Sequence, residues 1–173
     1  MQPIPLPRLQ DSASEPPFGM KTILVPVDFS PTTRAVLIAA RKLADVTGDR
    51  VVLLHVVQPP IISTDYGLTL DMMQETLVAF RKTGAQQLTH LEQALADQGI
   101  EVTSRQVDGY PSAQIIDQAV RLRADYIVMG SHGHTAIYDL VVGSTAQTVI
   151  KTAPCPVVIV PPPKKKPKKS AKK

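Results

Sequence analysis

Gly130, Gly133 and Gly143, with the Ser144–Thr145 pair, stand in the stretch GSHGHTAIYDLVVGST. Glycine lets a backbone approach a ligand closely and permits positive φ. A Ser–Thr pair opening a helix adds hydroxyls to free N–H groups that favour an anion, so the stretch could cradle a phosphate. The same residues would equally serve a strand-ending turn, a surface loop and a helix cap. Neither G-x-x-x-x-G-K-[ST] nor G-x-G-x-x-G occurs, which excludes a P-loop and the dinucleotide fingerprint. His132 and His134 lack a cysteine or acidic cluster at metal-ligand spacing, so a zinc centre is not expected. Asp28, in DFSP, could cap the following helix or contact a ligand. His55 lies within an apolar run and reads as a satisfied core histidine. Nothing near Cys155 would lower its pKa, so the thiol reads as structural or weakly reactive.

The elements that must position these residues alternate along the chain. TILVPV (22–27), RVVLLHVV (50–57), DYIVMG (125–130) and PVVIV (156–160) are short apolar runs typical of strands buried on both faces. The more polar EVTSRQV (101–107) fits an edge strand. Between them lie helical patterns. Ser30 before Pro31 predicts a cap for a helix bearing Ala35, Val36, Ala39, Ala40 and Leu43, with Gly48 past its end. Leu77, Phe80, Leu88, Leu91 and Leu95 form a second stripe, closed by Gly99. Ser112 is expected to cap a third helix carrying Ile115, Ile116 and Ala119. Ala146, Val149 and Ile150 mark a short fourth helix ending before Pro154. This order predicts an α/β fold, an open five-stranded parallel sheet with helices on both faces. Ligands bind such sheets beyond the carboxyl ends of the strands, where Gly130 begins its loop.

Bulk composition limits the alternatives. The chain has 173 residues, which suits one domain with a sizeable core. No apolar run is long enough for a transmembrane helix, the start lacks the apolar core of a secretory signal, and the single cysteine fits a reducing compartment, so a cytoplasmic location is expected. Residues 1–20 read as a disordered proline-rich arm, 21–161 as the folded domain and 162–173 as a disordered lysine-rich tail. The net charge of +4 misleads, because seven lysines sit in the last ten residues. Without them, twelve basic residues face fifteen acids and the remainder carries −3. The tail reads as a solvated extension or a weak, salt-sensitive contact with nucleic acid or an anionic membrane. No aromatics interleave with its lysines, so base stacking is not supported. The segment at 58–73 reads as a surface connection, with Tyr66 a conceivable ligand contact.

The spacing Gly130-x2-Gly133-x9-Gly143-Ser144 resembles the G-x2-G-x9-G-[ST] signature of nucleotide-binding universal stress proteins. ILVPVDFSPTTRAVLIAA, VVLLHVV and KTAPCPVVIVPP resemble the same family in the same order. The resemblance implies a Rossmann-like sheet ordered 3-2-1-4-5, bound ATP and a homodimer. By matched position it places Pro26, Val27 and Asp28 near the adenosine and Val56 on the base. It places Gly130, His132 and Gly133 along the phosphate loop, with Gly143, Ser144 and Thr145 on the triphosphate. Asp28 could accept from a ribose hydroxyl or assist Mg²⁺, and residue 132 would contribute its backbone N–H. The last strand, at a sheet edge yet fully apolar, is expected to join two copies through residues 156–160. The reading is therefore an ATP-binding stress-response regulator whose occupancy modulates a homodimer or the surface offered to a protein partner. A slow ATPase or autophosphorylating enzyme using Ser144 or Thr145, and a nucleotide-free interaction module, are the alternatives.

Overall fold

The computed structural model describes residues 21–58, 70–133 and 142–163. Five strands are present: β1 (Thr22–Pro26), β2 (Arg50–Val57), β3 (Val102–Asp108), β4 (Tyr126–Gly130) and β5 (Val157–Val160). They alternate with α1 (Thr33–Thr47), α2 (Leu70–Ala96), α3 (Pro111–Arg121) and α4 (Ser144–Thr152). All strand pairs are parallel and the order is β3-β2-β1-β4-β5, as expected.

The central apolar strands β1, β2 and β4 bury side chains on both faces because successive side chains alternate across a sheet, whereas β5, at an edge, leaves Val158 exposed. Ile23 and Val25 of β1, with Val51 and Leu53 of β2, pack under Val36, Ala40 and Ala44 of α1 and Leu88 and Leu95 of α2. Leu24, Val52 and Leu54 face the opposite way, onto Ile115 and Ala119 of α3 and Ala146 and Val149 of α4. Helices therefore cover both faces, and the polar β3 lies at one edge. Gly48 ends α1 at φ 69°, donating its N–H to the Ala44 carbonyl at 2.8 Å, a left-handed cap that glycine adopts without strain. Among the described residues, no helix is long and apolar enough to cross a membrane.

Three local expectations are corrected. Ser30 is not the cap of α1: the helix begins at Thr33, and the Ser30 carbonyl accepts the Thr33 N–H in a preceding turn. Ser112 lies inside α3, whose cap residue is Tyr110, because Pro111 takes the first helical position and needs no N–H partner. The stripe on α2 reaches the core only in its later half. Leu88 and Leu95 are buried, whereas Phe80 is exposed, since the helix meets the sheet closely from Gly84 onward. The arm at 1–20, Tyr66, His134 and the lysines from residue 164 lie outside the described residues.

At the amino ends of the strands, two carboxylates clip neighbours to β1. Asp49 accepts the Lys21 N–H at 2.9 Å, and Asp125 accepts the Thr22 N–H at 2.8 Å while returning its own N–H to the Thr22 carbonyl. A hydrogen bond to a charged group contributes about 1.5–3 kcal/mol. Asp125→Ala should therefore lower unfolding stability by about 1.5–3 kcal/mol in urea titration. An unchanged midpoint would remove Asp125 from the forces joining β1 to β4.

Candidate functional site

The sheet order reverses at β1, which is flanked by β2 on one side and β4 on the other. Connections on the two sides leave toward opposite faces, and a crevice opens between them at the strands' carboxyl ends. Here it measures about 350 Å³. Pro26, Val27 and Asp28 form one wall, and Val56 extends it from β2. Gly130, His132 and Gly133 form the opposite wall, and Gly143, Ser144 and Thr145 close it at the start of α4. All ten residues expected at a site are thus brought to one crevice.

The glycine segment is held by backbone bonds from Ser131. Its N–H donates to the Val160 carbonyl and its own carbonyl accepts the Gly143 N–H, each at 2.9 Å. The two ends of the loop are thereby pinned beside each other, with residues 134–141 outside the described part. Ser131 is buried, and its hydroxyl lies 3.0 Å from His132 Nδ1. Space at the glycines is tight. A Cβ at position 133 would lie 2.4 Å from Asp28 Oδ2, and one at 143 would lie 3.3 Å from the Ser131 carbonyl. Gly143 is the N-cap of α4 and has no side chain of its own to accept from the first N–H groups, the donors that favour an anion at a helix start.

Asp28 divides its carboxylate between the entry to α1 and the crevice, although the cap residue of α1 is Thr32. Oδ1 accepts the Ser30 N–H at 3.0 Å and the Thr33 hydroxyl at 3.4 Å, shaping the entry to α1. Oδ2 faces Gly133 across the crevice. The turn requires Phe29 at φ 61°, a left-handed conformation unusual for a bulky residue. Its ring is retained by packing on His55, with centroids 4.4 Å apart.

Sequence reasoning missed Ser30, Thr32 and Thr33 on the β1 wall and Gln58 and Pro111 at the far end. The hydroxyl-rich SPTT after Asp28 was a readable signal for the first three. Gln58 and Pro111 carried none, because they meet the crevice only through the strand order. Among the described residues lining the crevice there is no lysine or arginine. Nor do the described residues hold any group of three metal-ligating side chains.

The model of the universal stress protein family matches residues 19–161. A universal stress protein of Methanocaldococcus jannaschii is 30% identical over 152 residues, covering 81% of this chain and 94% of its own. The solved universal stress protein UspA of Lactobacillus plantarum is 28% identical with a TM-score of 0.72, covering 81% of this chain and 97% of its own. A universal stress protein of Archaeoglobus fulgidus, solved in complex with dAMP, shares the fold at 24% identity and a TM-score of 0.56, covering 82% and 98% of the two chains.

Two candidates stand outside the crevice. His55 Nδ1 is 3.0 Å from the Val27 carbonyl, the satisfied arrangement expected, although the ring is only half-buried. Cys155 is half-buried near Asp125, and burial, then the negative charge of Asp125, pushes its thiol up from the ordinary range. The reactive thiolate is thus depleted at neutral pH. Iodoacetamide should alkylate Cys155 in the folded protein more slowly than in the urea-unfolded chain at pH 7.5, with the gap closing as pH rises. Equal rates in both states would contradict the assigned environment.

Proposed function

The chain belongs to the universal stress protein family, and from that premise we propose that it is an ATP-binding regulator. Nucleotide occupancy changes a homodimer or the surface offered to a protein partner, and the protein acts in the cytoplasm through the unit at 21–161. The observation that carries this reading is the convergence of the glycine loop, Asp28 and Val56 on one crevice. Pro26, Val27 and Asp28 receive the adenosine, and Val56 packs on the base. Gly130, the His132 backbone N–H and Gly133 follow the phosphates, which end on Gly143, Ser144 and Thr145. Glycine at 133 supports this placement of the loop, because a Cβ there would collide with the Asp28 carboxylate on the facing wall. Mg²⁺ arrives with ATP and neutralises phosphate charge; Asp28 is the carboxylate placed to assist it.

Binding without turnover is favoured over slow hydrolysis or autophosphorylation. The described lining residues offer no arginine or lysine to stabilise charge developing on a transferring phosphoryl group. ADP or phosphorylated Ser144 or Thr145 appearing in a single-turnover assay would reverse that preference. A nucleotide-free interaction module would be indicated if ATP failed to bind at millimolar concentration.

The second copy docks on β5. This strand lies at the sheet edge, and Val158 is 40% exposed. An apolar edge strand offers unpaired N–H and C=O groups to another chain.

Two measurements test the reading. Mass spectrometry of nucleotide released from purified protein should identify adenine nucleotide, and titration should show saturable ATP binding. Gly143→Val should weaken that binding at least about tenfold while leaving the circular dichroism spectrum intact, because its branch fills the phosphate approach. Normal ATP affinity in a folded Gly143→Val protein would displace the triphosphate from this position. For assembly, light scattering should give a dimer at micromolar concentration, and Val158→Lys should shift it to monomer. A monomeric wild-type protein would sink the β5 interface.

A further inference from the structure

Apolar surface left open on a folded chain marks places where another molecule is received. One such place lies away from the crevice, on the face of the sheet that α1 and α2 cover, where a cavity of about 560 Å³ opens between the two helices. Its floor is apolar. Leu37 of α1, Leu91 of α2 and the Phe29 ring pack inward on the core, yet each is only half-buried and lines the cavity. Small-molecule sites of about 300–1,000 Å³ are built in this way, from apolar walls and a few placed polar groups.

Both ends of the cavity are bounded. Phe29 stands at one end, its ring held on His55. Toward the other, Arg41 Nη1 donates to Gln98 Oε1 at 2.6 Å and bridges α1 to the residues that follow α2. From Thr33, which lines the cavity, to Arg41 is about 12 Å along the axis of α1. A partner helix seated in a groove presents anchors over two turns and runs on beyond them. A groove stopped at both ends suits a short ligand instead.

The placed polar group is Arg34. Among the described residues lining the cavity it is the one permanent charge, and no carboxylate accompanies it. Arg41, Arg81 and Arg121 each hold an acid, whereas Arg34 makes no hydrogen bond or ion pair among the described residues. A guanidinium fork pairs a carboxylate through two parallel hydrogen bonds. Beside an apolar floor, it selects a molecule with a carboxylate at one end and hydrocarbon behind it. We propose that the cavity between α1 and α2 is a second ligand site, which takes a free medium-chain acyl carboxylate. The carboxylate pairs with Arg34 and the chain lies over Leu37 and Leu91. This site is separate from the crevice and does not depend on the nucleotide reading.

The probes are octanoate and octan-1-ol, each titrated calorimetrically into the full chain below its aggregation concentration. Octanoate should bind saturably, shift the methyl resonances of Leu37 and Leu91, and bind at least about tenfold more tightly than the alcohol, which brings no charge to the guanidinium. Arg34→Gln should lower octanoate affinity to that of the alcohol. Arg34 is exposed, so this variant should keep the wild-type circular dichroism spectrum. Gln87→Trp, also at an exposed position lining the cavity, should abolish octanoate binding by filling the space. Absence of saturable octanoate binding would overturn the proposal, as would equal affinity for the two probes or methyl shifts confined to other residues. Wild-type octanoate affinity in folded Arg34→Gln or Gln87→Trp protein would overturn it equally. An acidic amphipathic peptide or anionic vesicles that bind through Arg34 while octanoate does not would assign this face to a macromolecular surface and overturn it too.

Discussion

The crevice depends on β1 having β2 on one side and β4 on the other. Consecutive connections of parallel strands are right-handed, so helices reached from the two sides of β1 must lie on opposite faces of the sheet. That divergence leaves a gap above β1 and β4 that no helix can cover. Everything assigned to the site follows from it. Asp28 leaves β1 on one wall, Gly130 leaves β4 on the other, and the backbone bonds of Ser131 draw Gly143 in beside them. The register Leu24↔Ile127 then sets how the two walls stand relative to each other along the strands.

Recognition built on such a gap relies on backbone more than on charged side chains. Gly133 lies so close to Asp28 Oδ2 that any larger residue would have to move the carboxylate or the loop. Gly143, as the cap of α4, offers no side-chain acceptor of its own to the first N–H groups. Both features keep donors in place whether or not an anion is present, so little reorganisation accompanies its arrival.

Much of this was legible in the sequence, for definable physical reasons. Strands buried on both faces need nearly continuous apolar runs, and four of the five strands could be read from that pattern. β3 was legible as an edge because its polar side chains could not be buried twice. The ten site residues were legible through glycine spacing and family resemblance together; the glycines alone also fitted turns and caps. Capping was the weakest reading. Ser30 and Ser112 have the right chemistry, but a turn closed by the Thr33 N–H on the Ser30 carbonyl precedes α1, and Pro111 claims the first position of α3. Gln58 and Pro111 could not have been found, because sequence separation hides a neighbourhood created only by strand order. Phe80 misled because helical periodicity records which residues share a face, not whether that face reaches the sheet along its whole length.

The turn at Asp28 ties the crevice to the packing beneath α2. A left-handed Phe29 costs on the order of 1–3 kcal/mol, and such strain persists only where surrounding contacts over-determine it. Two sets of contacts do so here. Asp28 Oδ1 collects the Ser30 N–H and the Thr33 hydroxyl, and the Phe29 ring packs on His55, whose own ring is bonded to the Val27 carbonyl. The crevice wall and the packing beneath α2 are therefore one connected unit. Relaxing Phe29 toward negative φ would withdraw the hydrogen bonds that orient the carboxylate. The strain is thus part of what holds Asp28 Oδ2 beside Gly133 while the residue stays exposed to solvent, and its location beside the crevice follows from that geometry.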